Sequence, residues 1–305
     1  MQNLRGILYV IAAATFFGMM PIWVKQAYVT GLSAFDFTFL RSGMAAIMLG
    51  VFIGYRKLHF RLGIQQIGPM LLSAVPFTAT ILLLYVSYNY ISAGVATSLH
   101  YLFPVLVMLL AYFIYREKLQ LYKWIALLIS IGGIYLIADP SGNSFSFKGV
   151  GLATLSAVTF AIYTLALNHS QVKKIDSLVL AFYLCVFAFF TSLILLLIQG
   201  NWPLVITLKG MYYTALVSFF CTALGLIFFI KGAQSIGSAN ASILSTLEPV
   251  VSLVAGIIIL NEPVTWFTSL GSILIISAIL LIGYANLRQG SSAEKKLKQL
   301  QRRQD

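Results

Sequence analysis

The sequence predicts an all-α polytopic membrane protein of ten transmembrane helices, folded as two inverted five-helix repeats. Three observations predict it: long apolar runs, a one-sided distribution of lysine and arginine, and a self-similarity at a fixed offset. Of the 305 residues, 60% are hydrophobic and 9% charged, and the mean hydropathy is +0.92. A soluble domain carries about 25% charged residues, so a chain this poor in charge has the bilayer as its solvent. An apolar run of about 20 residues crosses a hydrocarbon core of roughly 30 Å. Its backbone groups must be satisfied within the segment, which makes it a helix. The alternation of a membrane β-barrel is absent.

Ten spans are drawn at 4–24, 33–54, 66–87, 92–115, 121–138, 149–168, 177–199, 208–230, 238–259 and 264–285. The first is read as a retained helix and not a cleaved signal, because no small-residue cleavage site follows it. Cys185 and Cys221 lie inside apolar runs and read as buried free thiols, with no disulfide framework and no metal site.

The loops orient the spans. With the N-terminus inside, 16 of the 20 lysines and arginines fall on the cytoplasmic side. Lys25, Lys148 and Lys209 fall outside, and Arg41 lies within the second span. This asymmetry predicts a multi-pass cell-membrane protein with both termini cytoplasmic. The net charge of +12 is then mostly a topology signal. Dispersed over separate loops, it does not make a nucleic-acid surface. The polar tail, 287–305, is a solvated flank or a contact for anionic lipid headgroups.

Residues 88–117 match 233–262 at an offset of 145, with Pro104 on Pro249, Ala96 on Ala241 and Glu117 on Glu262. AAATF at 12–16 matches SAVTF at 156–160 at an offset of 144. The chain therefore divides into repeats at 1–140 and 147–286. Five spans per repeat is an odd number, so the second half enters the membrane from the opposite side. Inverted repeats are an architecture of alternating-access transporters, whose sites lie near midplane between the halves.

The chain resembles the EamA family of metabolite exporters within the drug/metabolite transporter superfamily. The resemblance is carried by TFFGMMPIWVK (15–25), FDFTFLRSGMAA (35–46) and SAGVATSLHYLFPVLVMLLAYFIYREKL (92–119). It continues through GGIYLI (132–137), KGVGLATLSAVTFAIYTLALN (148–168) and SANASILSTLEPVVSLVAGIIILNEP (238–263). It implies ten helices with cytoplasmic ends, and a central cavity lined by the first, third and fourth helix of each half. Phe17-Gly18 stands where the family often has Trp-Gly, so substrate preference is not carried over.

Glu248 is the one acid deep in a span, about ten residues into the ninth, or roughly 15 Å along it. A carboxyl group there needs a proton, a partner or a wet cavity. It is either a substrate-amine or proton-coupling site, or a neutral group fixing helix packing beside Pro249. Ala241, Ser245, Glu248 and Ser252 share one helical face. His100 aligns with Ser245 and lies about eight residues into the fourth span, beside Thr97 and Tyr101. An imidazole suits a pH-sensitive site, and equally a hydrogen-bonded structural role.

Pseudo-symmetry adds a candidate wall of Thr15, Met19, Trp23, Thr159, Tyr163 and Asn168 from the first and sixth spans. Tyr85, Asn89, Ser218 and Thr222 join it from the third and eighth. Singly, each is more often packing than a ligand contact. Arg41 must snorkel or pair, and is expected to be structural, with an anion contact as the alternative. Glu117 and Glu262 sit at helix starts, where negative charge favours the dipole. Pro104 and Pro249 are kinks or hinges. Gly132, Gly133, Gly151 and Gly271 are expected to allow close helix contact.

The function class follows by comparison. Paired intramembrane aspartates, an aspartate-rich metal site and a Gly-Xaa-Ser-Xaa-Gly elbow are all absent, which disfavours an intramembrane enzyme. No charge ring or filter loop marks a channel. No nucleotide-binding loop is present, so neither ATP nor another cofactor is expected. The expected protein is a secondary exporter of small metabolites, amino acids or related amphipathic solutes, with Glu248 and His100 as the basis for proton coupling. An uncoupled facilitator or importer is the alternative. The partners are a small molecule and the lipid bilayer; the oligomeric state is not read, and a monomer is compatible.

Overall fold

The computed structural model of the chain describes residues 2–87, 89–91, 96, 99–116, 120–138, 146–200, 206–260, 266–267, 269–271, 273–278 and 280–281. Thr97, Glu117, Glu262 and the tail lie outside the described residues. The elements are helices: α1 Gln2–Tyr28, α2 Ala34–Tyr55, α3 Ile64–Ser87, α4 Phe103–Tyr115, α5 Leu121–Ala138, α6 Phe147–Ala166 and α7 Ser177–Gln199. There follow α8 Leu208–Ile236, α9 Ser238–Leu244, α10 Leu247–Leu260 and a shorter apolar helix α11, Ser269–Ala278. Six of them, α1, α2, α3, α6, α7 and α8, are long and apolar enough to cross a membrane.

Local chemistry sets the ends. Ser33 accepts from the Asp36 amide at 3.2 Å, and Asp36 accepts from the Ser33 amide at 2.9 Å, a reciprocal box that starts α2. Asp176 accepts from the Leu178 amide at 2.8 Å and starts α7. These acids are caps. Gly237, the one residue between α8 and α9, has φ +84°, a conformation that disfavours any side chain.

Two expected spans are broken. The segment drawn as 92–115 turns at Tyr101–Leu102 before α4, and the one drawn as 238–259 turns at Ser245–Thr246 between α9 and α10. The cause is the same in both. Proline has no amide hydrogen and its ring crowds the carbonyl four residues earlier. For Pro104 that carbonyl belongs to His100, and for Pro249 it belongs to Ser245. Each proline therefore falls in the first turn of a restarted helix, where its missing hydrogen costs nothing. The breaks occupy matching repeat positions.

A third departure lies in α8. Residues Val217–Gly225 form a π-helical stretch inside what reads as a plain apolar span. Within it the Thr222 hydroxyl donates to the Val217 carbonyl five residues back, at 3.1 Å. Such stretches are rare and gather at functional sites.

The long helices pack in pairs: α2 with α7, α3 with α6, and α1 with α8; α4 also lies on α6, and α10 on α1. Small residues set the approach. A Cβ added at Gly232 would collide with a Val10 methyl, and one at Gly43 would lie 2.8 Å from the Phe189 ring. Phe189 fills that notch and stacks on Phe39 at 4.6 Å. Among the glycines expected to make close contacts, Gly133 meets the backbone of Gly271, whereas Gly132 and Gly151 face open space. Association in lipid rests on such packing, because lipid tails are as apolar as the helix faces.

Candidate functional site

The interior side chains sort by where their hydrogen bonds go. Many hydroxyls return to their own helix. Thr15 donates to Ile11, Ser218 to Thr214 and Ser245 to Ala241, at 2.9, 2.6 and 2.9 Å. Thr222 likewise serves its own π-helical turn. These four expected wall residues are satisfied locally. Thr15 and Asn89 are exposed. Met19 and Trp23 are half-buried, with the Trp23 ring 5.9 Å from that of Phe220.

Other residues bond across helices, and Tyr101, Glu248 and His100 do so beside the two breaks. The Tyr101 hydroxyl donates to Glu248 Oε2 at 3.2 Å, which ties the turn before α4 to the first turn of α10. Glu248 is half-buried. Its backbone carbonyl lies against Gly18 of α1, and the Ser252 hydroxyl donates to the Gly18 carbonyl at 2.6 Å. Gly18 thus seats α10 on α1 and holds the carboxyl-bearing turn in place.

His100 is held on the other side. Its Nδ1 lies 2.9 Å from the Ser156 hydroxyl of α6. Ser156 donates its one proton to the Ala153 carbonyl at 2.6 Å. The hydroxyl therefore accepts from the ring, and Nδ1 carries the hydrogen. Phe160 and Phe103 close over the imidazole, with centroids 5.3 and 5.5 Å away. One turn on, the hydroxyls of Thr159 and Thr80 meet at 2.7 Å and join α6 to α3. Tyr163 is fully buried among Phe77, Phe160 and Phe229, and its hydroxyl has no hydrogen-bond partner among the described residues. Asn168 bonds the Ser238 hydroxyl, which donates to the Thr164 carbonyl at 2.9 Å.

Arg41 projects from α2 toward α1 and α3. Its Nη1 donates to the Tyr85 hydroxyl at 3.0 Å and approaches the Met20 sulfur at 3.4 Å. Cys221, in the π-helical stretch, is a buried free thiol whose sulfur lies 3.1 Å from the Phe16 carbonyl. Cys185 is also free and buried. Pro104 and Pro249 stand in the first turns of the restarted helices.

Ser156, Thr80, Met20 and Cys221 are contacts that sequence reasoning missed. Ser156 had a signal: it shares a helical face with Thr159, Phe160 and Tyr163. Thr80 and Met20 had none, because a lone threonine or methionine in an apolar run looks like packing. Among the described residues no group of three or more His, Cys, Asp or Glu side chains is placed to hold a metal ion.

A multi-helix chain with buried polar contacts at two broken helices is a membrane protein of the transporter kind. Residues 4–138 and 147–284 each match the EamA-like transporter family, and the chain belongs to that family. It is 24% identical over 290 residues to human solute carrier family 35 member G1, covering 90% of this chain and 77% of that protein. It is 28% identical over 269 residues to the uncharacterized transporter YvbV of Bacillus subtilis, covering 84% and 85%. It is 27% identical over 198 residues to the S-adenosylmethionine uptake transporter of Rickettsia prowazekii, covering 65% of each. A crystal structure with 13% identity superposes with a TM-score of 0.81 over 93% of this chain and 98% of the other, which shows a common fold.

The Tyr101–Glu248 contact is testable by a double-mutant cycle on thermal stability in detergent, using Tyr101→Phe and Glu248→Leu, which leaves no acceptor. A coupling energy between about 0.6 and 1.7 kcal/mol is expected for a hydrogen bond inside a membrane protein. Additive effects would mean that the two side chains do not interact.

Proposed function

We propose that this chain is a secondary transporter of the cell membrane that exports small metabolites by alternating access between two inverted five-helix halves, 1–140 and 147–286. The observation that carries the reading is the pair of broken helices, at matching repeat positions, joined by Tyr101 and Glu248. The helix pairing supports it too. Counting α4, α5, α9–α10 and α11 with the expected fourth, fifth, ninth and tenth spans, α1–α8 mirrors α6–α3, and α1–α10 mirrors α6–α4. An approximate two-fold exchange of the halves accounts for both.

The physical cycle is simple. A continuous transmembrane helix is stiff, whereas a helix interrupted at a proline has a hinge. Two such hinges facing each other let one half rock against the other around a fixed midplane site. Tyr101 donates to Glu248, and that bond is strongest when the carboxylate is ionised. A proton or a substrate amine arriving at Glu248 weakens the bridge and frees the hinges to move. His100, hydrogen-bonded through Nδ1, keeps its second ring nitrogen for a proton or a solute. The site would suit amino acids and related amphipathic solutes. The Rickettsia relative is an S-adenosylmethionine uptake transporter, which favours import of a solute bearing amine and carboxylate as the second reading.

Two experiments test this. In vesicles containing purified protein, an imposed pH gradient should accelerate flux of a radiolabelled amino acid, and an ionophore should abolish the acceleration. Glu248→Gln should be insensitive to the gradient. Flux that ignores the gradient in the parent protein, with Glu248→Gln unchanged, removes the coupling role and leaves an uncoupled facilitator. For orientation, an impermeant thiol reagent outside the cell should label a cysteine placed at Lys148 and spare one at Arg56. The opposite labelling would invert the topology.

A further inference from the structure

Arg41 is 5% exposed and carries a cationic guanidinium into the interior. A buried cation ordinarily sits against a carboxylate, because the low dielectric makes an unpaired charge expensive. Here the partners of Nη1 are both neutral, a phenol oxygen and a thioether sulfur. Nε is buried and has no hydrogen-bond partner among the described residues. The group is nevertheless held in position. Its carbon lies 5.8 Å from the centroid of the Tyr85 ring, a cation–π contact that orients the planar fork. The side chain starts on α2 yet places its guanidinium against Met20 of α1 and Tyr85 of α3.

We infer that Arg41 is an anion-binding residue of the transport path, which takes the carboxylate or phosphate of a small organic anion or zwitterion. The inference rests on the transporter reading. A guanidinium matches such groups through two parallel N–H donors, and Nε with one Nη is the edge it presents. The unsatisfied Nε supplies one of those donors. The Tyr85 hydroxyl and the Met20 sulfur hold the head in place without neutralising it. A fixed carboxylate would bind the guanidinium permanently and exclude a ligand anion. The same chemistry explains why a residue on a helix packed against α7 carries a charge at all: its reach, and not its backbone position, brings it to the path.

The test uses purified full-length protein, matched probes and Arg41→Met. The carboxylate arm compares L-leucine and L-glutamate with leucinamide and glutamine; the phosphate arm compares glycerol 3-phosphate with glycerol. At least one probe should raise the thermal midpoint where its counterpart lacking that carboxylate or phosphate does not, and the responding arm identifies the anion. In Arg41→Met that probe should bind about 30-fold more weakly or not at all. The variant itself should melt at or above the parent temperature, because a buried charge without a counter-ion does not stabilise the fold. Two results would overturn the inference: no probe outperforming its counterpart, or Arg41→Met melting lower while still responding to the probe. If Arg41→Met does not fold, Arg41→Lys decides, since loss of the planar fork should reduce the discrimination and an unreduced discrimination rejects the role. Flux of a neutral solute through the same preparation reports separately on the transporter reading, which stands if that flux survives while the anion inference fails.

Discussion

A hydroxyl, imidazole or carboxyl group in hydrocarbon has no water to bond, so it must find its partner inside the protein. The rest of this structure depends on that constraint. Most interior hydroxyls meet it with the carbonyl three or four residues earlier, as Thr38, Ser73, Thr164 and Ser192 do. Other groups reach across to a second helix, and Ser156, Thr80 and Thr159 do so while also bonding their own. Four such side-chain contacts are Tyr101 with Glu248, His100 with Ser156, Thr80 with Thr159, and Arg41 with Tyr85. With the approach of Arg41 to Met20 they join α1, α2, α3, α6 and α10 to the turn before α4.

The same constraint explains the breaks. Proline inside a lipid-facing helix leaves a carbonyl unserved, which is tolerated only where other protein groups line the gap. At the second break the freed Ser245 carbonyl accepts from the Glu248 amide at 3.0 Å. The turn that satisfies the backbone also carries the acid. Geometry and chemistry therefore coincide at Glu248 because one proline sets both.

Much of this was legible in the residues. The helical class followed from composition, and six long spans follow the apolar runs closely. That Glu248 and His100 would have partners followed from depth alone, since a titratable group far from any loop demands one. Tyr101 was flagged through its neighbour. Three features were not legible. The discontinuities before α4 and α10 were hidden because apolar residues run straight through them, and hydropathy does not register a lost amide hydrogen. The π-helical stretch in α8 has no compositional mark. The partners of Arg41, Tyr85 and Met20, have no sequence mark, because a long side chain carries its charge to neighbouring helices that spacing does not identify. In the other direction, Thr15, Ser218 and Ser245 looked like wall residues and are bonded to their own helices.

The central claim is that the segments flanking the two breaks form one coupled hinge pair, bridged by Tyr101 and Glu248. Hydrogen exchange in lipid nanodiscs tests it most directly. Amides at 99–103 and 243–248 should exchange faster than those in the middle of α2 and α7, and Tyr101→Phe should raise exchange in both segments together. Protection as deep as that of α2 and α7, or a response confined to one of the two segments, would contradict the account.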